Sequence, residues 1–109
     1  MSESEFLVAA EGVLGAVESA FEQAGEAADL DIECSRSGNV LEIEFANRSK
    51  MIVNTQAPMR EIWVAARAGG FHYRFSDGRW LDTRDGSELF DALSRLASAQ
   101  AGADLKISA

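Results

Sequence analysis

Apolar residues recur at three- and four-residue steps near the start of the chain, at Phe6, Ala10, Val13, Val17, Phe21 and Ala24. That spacing predicts an amphipathic helix from about Ser4 to Ala24, with Leu14 and Ala20 widening its buried stripe. Glu11, Glu18 and Glu22 fall on an arc away from the stripe. Gly25 is the expected C-cap, and residues 26–30 read as a short acidic loop. From Asp31 the period changes to two. Ile32 and Cys34 point one way and Asp31 and Glu33 the other, giving a first edge strand; Leu41, Ile43 and Phe45 then alternate with Glu42 and Glu44 in a half-buried strand. Further strands are expected at Lys50 to Thr55, Glu61 to Ala66, Phe71 to Phe75 and Arg79 to Asp82. The turns between them fall at Ser37-Gly38-Asn39, Asn47-Arg48-Ser49, Ala57-Pro58, Gly69-Gly70 and Asp77-Gly78. Ser87 is the expected N-cap of a last helix running to about Gln100, with Leu89, Phe90, Leu93, Leu96 and Ala97 on one face and Gly102 as its stop. Beyond it, Leu105 and Ile107 either pack back onto the helices or fray with the terminus.

Helix, six antiparallel strands and helix define a single α+β domain over residues 1–109. The expected architecture is a two-layer α-β sandwich in which both helices cover one face of the sheet and the other face meets water. Asn54 and Gln56 share one strand parity, and Trp63 lies on the neighbouring strand. Two amides and an indole on an uncovered face would form a docking surface; the alternative is that Trp63 belongs to the core and the amides satisfy the turn.

Charge separates the two halves of the chain. Residues 1–44 hold eleven acids and one base, Arg36, whereas residues 45–109 hold seven acids and nine bases, for a formal net charge of −8. A field of that sign repels nucleic acid and anionic membrane and attracts cations or basic protein surfaces. No apolar run approaches the roughly 20 residues that span a bilayer, and the acidic opening is unlike a targeting peptide, so the cytoplasm is the expected location. Cys34 is the single cysteine, which excludes an intramolecular disulfide and suits a small buried hydrophobe.

Catalytic groupings are scarce. His72 has no acidic neighbour in sequence to orient it, and Gly69-Gly70 lacks the following helix that a phosphate cradle needs. No enzyme activity is expected. The carboxylates offer more: Glu18, Glu22, Glu26, Asp29, Asp31 and Glu33 form a continuous acidic ridge along the first helix, the loop and the edge strand. Crowded like charges favour a neutralising cation or basic surface, and oxygen donors suit hard ions and, among transition metals, iron or manganese. Without a His or Cys anchor, binding there would be weak and exchangeable. A solvated face that keeps the protein soluble is the competing reading.

With these residues in view, the chain resembles the bacterial branch of the frataxin family over nearly its whole length. The most specific stretch is Asn54-x-Gln56-x-Pro58, followed by Ile62-Trp63-Val64-Ala65 and Gly69-Gly70-Phe71-His72-Tyr73. Supporting matches are Ser4-Glu5-Phe6, Asp31-Ile32-Glu33-Cys34, Val40-Leu41 and Asp85-Gly86. The resemblance implies an iron-binding accessory protein of iron-sulfur cluster assembly, partnered by a cysteine desulfurase and the cluster scaffold. It maps iron to Glu18, Glu22, Asp31 and Glu33, with Glu26 and Asp29 between them, and partner contacts to Asn54, Gln56 and Trp63. Ser19 and Gln23 stand where bacterial relatives often carry acids, so the ridge is thinner here. Docking that regulates assembly is the first expectation, and an iron metallochaperone or store the alternative; a monomer is the expected state.

Overall fold

The computed structural model describes all 109 residues. Helix α1 spans Glu3–Ala28, and six strands follow: β1 Ile32–Ser37, β2 Val40–Phe45, β3 Lys50–Gln56, β4 Glu61–Ala66, β5 Gly69–Ser76 and β6 Arg79–Asp82. Helix α2, Leu89–Ala101, completes the order. The strands form one antiparallel sheet in sequence order, β1 to β6, as short turns between period-two segments require. Both helices pack on one face, so the architecture is the expected two-layer sandwich.

Strand parity sorts the residues cleanly. Leu41, Ile43, Phe45, Met51, Val53, Ile62, Val64, Tyr73 and Trp80 are buried under the helices with Phe6, Leu14, Val17 and Phe21 of α1 and Leu89, Leu93 and Leu96 of α2. Edge-to-face aromatic pairs join the layers, Phe6 on Trp80 and Phe21 on Phe45. The C-terminal segment packs back rather than fraying. Leu105 and Ile107 are buried, and the Ser98 and Ser94 hydroxyls accept hydrogen bonds from their backbone N–H groups.

Four boundaries differ from the sequence-based expectation, each for a local reason. Helix α1 opens with a capping box between Ser2 and Glu5 and runs through Gly25 to Ala28, closing at Asp29 in the left-handed region (φ 54°). Gly25 is a packing position and not the cap: a Cβ there would lie 3.0 Å from the Leu30 carbonyl oxygen and 3.3 Å from Ile32. Residues 26–28 are therefore helical where a loop was expected, and Asp31 precedes β1 instead of opening it. The β4–β5 turn is Arg67-Ala68, and Gly69 and Gly70 already belong to β5. Helix α2 is capped by Glu88, whose carboxylate accepts from the Phe90 and Asp91 N–H groups, and not by Ser87.

Gln100, buried near the end of α2, crosses between the layers. Its side chain donates to the Lys50 carbonyl (2.8 Å) and accepts from the Arg67 N–H (3.1 Å), fastening the helix to β3 and to the β4–β5 turn. Asn47 donates to its backbone carbonyl.

Candidate functional site

The acidic residues lie along one border, where α1 runs beside β1. Glu18 and Glu22 flank Cys34: the thiol points at the Glu18 carbonyl, 4.0 Å away, and is pushed up to about 11 by burial and by the charges of Glu22 and Glu18. Glu26 occupies the last turn of α1 and Asp29 its cap. Asp31 and Glu33 continue past the edge onto the open face, where Glu33 of β1 stands opposite Glu44 of β2. Asp31, Glu33 and Glu44 line a shallow concavity closed by Arg48. Nowhere do three His, Cys, Asp or Glu side chains converge into a metal-sized group. The ridge is a band of separate oxygen donors, suited by its chemistry to hard or borderline cations held loosely. Arg36, the one base of the acidic half, pairs with Glu11 and so joins β1 to α1 away from Glu18 and Glu22.

The open face carries the second expected group. Asn54 lies directly opposite Trp63, and Gln56 opposite Glu61. Trp63 is half-buried on this face, not under the helices. The Pro58 turn is closed by the Arg60 N–H and guanidinium on the Ala57 carbonyl, so it does not draw on either amide. All three expected partner residues therefore share one surface, on β3 and β4, with β2 between them and the acidic edge.

The structure adds three residues that sequence reasoning missed. Trp63 pairs across the sheet with His72, and their rings stack with centroids 4.3 Å apart and an interplanar angle of 6°. The Trp63 indole Nε1–H donates to Glu61 (2.9 Å), whose other oxygen takes a charge-assisted bond from Arg74 (2.6 Å). His72 Nδ1 stands 3.5 Å from the same Glu61 oxygen as the indole. Glu61 is only 3% exposed although no helix covers its side of the sheet; Trp63, His72 and Arg74 surround it. Burial would push this carboxyl up, but the bonds from Trp63 and Arg74 and the charges of Arg74 and His72 outweigh it and hold the group below the usual carboxylate range.

His72 thus has the acidic neighbour that its sequence surroundings lack. The signal was present in the hairpin. A turn at Arg67-Ala68 pairs Glu61 with Arg74 and Trp63 with His72; a turn at Gly69-Gly70 displaces every pair.

With a sheet bare on one face, bordered by acid and bearing a stacked tryptophan, the chain belongs to the frataxin-like family: the frataxin-like domain model matches residues 1–103. The chain is 61% identical over 105 residues to the iron-sulfur cluster assembly protein CyaY of Cupriavidus taiwanensis, covering 96% of this chain and 95% of that one. Frataxin from Psychromonas ingrahamii superimposes with a TM-score of 0.82 at 29% identity, with all of both chains covered. Trimeric frataxin from Saccharomyces cerevisiae, in a ferrous complex, shares the fold with a TM-score of 0.73 at 24% identity over 85% of each chain.

Proposed function

We propose that this protein is an accessory factor of iron-sulfur cluster assembly that docks on a cysteine desulfurase and its scaffold, acting in the cytoplasm as a monomer and not as an enzyme. The acidic ridge, Glu18, Glu22, Glu26, Asp29, Asp31 and Glu33, meets a basic surface of one partner, while Asn54, Gln56 and Trp63 meet the other. Relatives at about 60% identity carry the name of that assembly process, and they match almost end to end. The observation that carries the docking model is the placement of Trp63: a large aromatic on an uncovered sheet face, beside an acidic border on the same body. Aromatic anchors of this kind dominate binding energy, and charge bands steer encounter.

Iron is cargo or signal in this reading. Ferrous iron on the ridge would cancel part of the charge offered to the basic partner and so link metal supply to docking. The test is cluster formation by purified desulfurase and scaffold, with and without this protein and ferrous iron. A rate changed by the protein, and changed differently with iron, supports the proposal; an identical rate in all arms ends it. Trp63→Ala is expected to weaken docking by at least about 2 kcal/mol. Loss of function on charge removal at Glu18 and Glu22 with Trp63→Ala silent would favour the metallochaperone instead.

A further inference from the structure

Glu61 is an unusual residue to find where it is. A carboxylate almost closed to solvent costs desolvation energy, and a sheet surface has no need of one to hold its strands together. Its three neighbours explain it. Each of Trp63, His72 and Arg74 reaches Glu61 from the open face, the first by a 2.9 Å bond from the indole nitrogen, the last by a 2.6 Å bond from the guanidinium. His72 stands 3.5 Å from the oxygen that the indole uses. An indole on an exposed strand is ordinarily free to change rotamer. Here both ends of its freedom are removed, by the stack on His72 and by the bond to Glu61.

We propose that Glu61 is a positioning residue for recognition: its buried carboxylate locks Trp63 and His72 into one rigid stacked plate, with the indole N–H turned inward. The inference rests on the reading that Trp63 docks a partner. With Nε1–H engaged inside the chain, the plate offers a partner its ring surface and not a hydrogen-bond donor. Arg74, 60% exposed along its side chain, neutralises the carboxylate and borders the plate with a cation. Rigidity lowers the ordering cost of docking, since the anchor is set before the partner arrives.

Trp63 and Trp80 are the only two tryptophans, so the two indole N–H signals of the ¹⁵N-labelled full chain separate the site from the core. In Glu61→Ala the Trp63 indole proton is expected to shift and to exchange with water about tenfold faster, while Trp80 keeps its signal. In Glu61→Gln, which retains volume and an acceptor oxygen, the protection returns. Acid titration of the unaltered protein below about pH 5, where the stacked imidazole is already protonated, should move the Trp63 signal and not that of Trp80, and that movement should vanish in Glu61→Gln; this comparison decides the matter even if Glu61→Ala does not fold. Affinity for the desulfurase–scaffold assembly should drop about tenfold in Glu61→Ala and recover in Glu61→Gln. It should drop no further when Glu61→Ala is added to Trp63→Ala. Unchanged exchange and titration at Trp63 would overturn the proposal, and so would an equal loss of affinity with Trp63 already removed. If Trp63→Ala alone binds normally, the docking reading falls while the indole signals still decide whether Glu61 holds the plate.

Discussion

At the scale of single residues, Cys34 reports on the ridge. Burial is the first cause of its raised value and the charges of Glu22 and Glu18 the second, so at neutral pH the group is thiol and not thiolate. Alkylation by iodoacetamide should be slow. Glu18→Gln combined with Glu22→Gln should speed it roughly two- to fivefold, by removing the electrostatic part and leaving the burial part. Mass spectrometry over a time course checks this, and an unchanged rate would mean that neither carboxylate acts on the sulfur. Tyr73, raised to about 12 first by burial and then by Asp82, acts in the same direction as Cys34 on stability. Both contributions are complete below the unfolded values near 9 and 10 and are lost as pH climbs toward 11 and 12. Glu61 has the opposite sign: its stabilisation is present above the ordinary glutamate value of 4.5 and disappears as pH falls through its lower folded value. Thermal melts across pH should show a decline at each extreme. Glu61→Gln should flatten the acid limb and cost about 1–3 kcal/mol at pH 7.

Helix α1 makes a sharper prediction at the scale of elements, because it contains glycines of opposite character. Nothing lies within 4 Å of a Cβ added at Gly15, so Gly15→Ala should stabilise the helix by about 0.5–1 kcal/mol. Gly25→Ala should destabilise by about 1–3 kcal/mol, since the Leu30 backbone and Ile32 must move to admit the methyl group. Urea melts of the two variants should shift in opposite directions. The same pair shows what a sequence discloses about an element. The buried stripe of α1 was legible because its spacing is unbroken, but its end was not, because a glycine at a close approach looks like a glycine at a cap. The alternation of β3 and β4 on either side of the Pro58 turn allowed Asn54, Gln56 and Trp63 to share one surface, and the register puts Asn54 opposite Trp63. Glu61, His72 and Arg74 were hidden because their meeting depends on the count of residues in one turn, and two adjacent glycines drew the turn to the wrong place.

The whole molecule is electrically lopsided, and this bears on both stability and association. Acidic groups crowd one border with Arg36 as the only base in that half, and Arg36 is engaged by Glu11. Screening should relieve the crowding, so raising salt from low levels to 0.5 M is expected to lift the melting temperature by a few degrees, on the order set by a Debye length that contracts from about 10 Å at 0.1 M to about 3 Å at 1 M. The same salt should weaken docking on a basic partner. Opposite responses of melting and binding, followed by calorimetry in one buffer series, would identify the border as a charge contact; parallel responses would not. Net charge and its division between halves could be counted from the chain alone. That the band turns the corner of β1 and meets the bare sheet required the packing of α1 against that strand.

The bend at Arg67 and Ala68 has a further consequence. Its Arg67 amide is held from the opposite layer by Gln100, so the hairpin's length is set at a point far from the surface it serves. One additional residue inserted at that bend would roll the imidazole to the inner side and strip the tryptophan of its mate. Two would restore the side but slide the mate along the strand. Because the shift that turns the imidazole inward also turns Tyr73 out of the core, a one-residue lengthening carried into β5 should lower the melting temperature together with the grip.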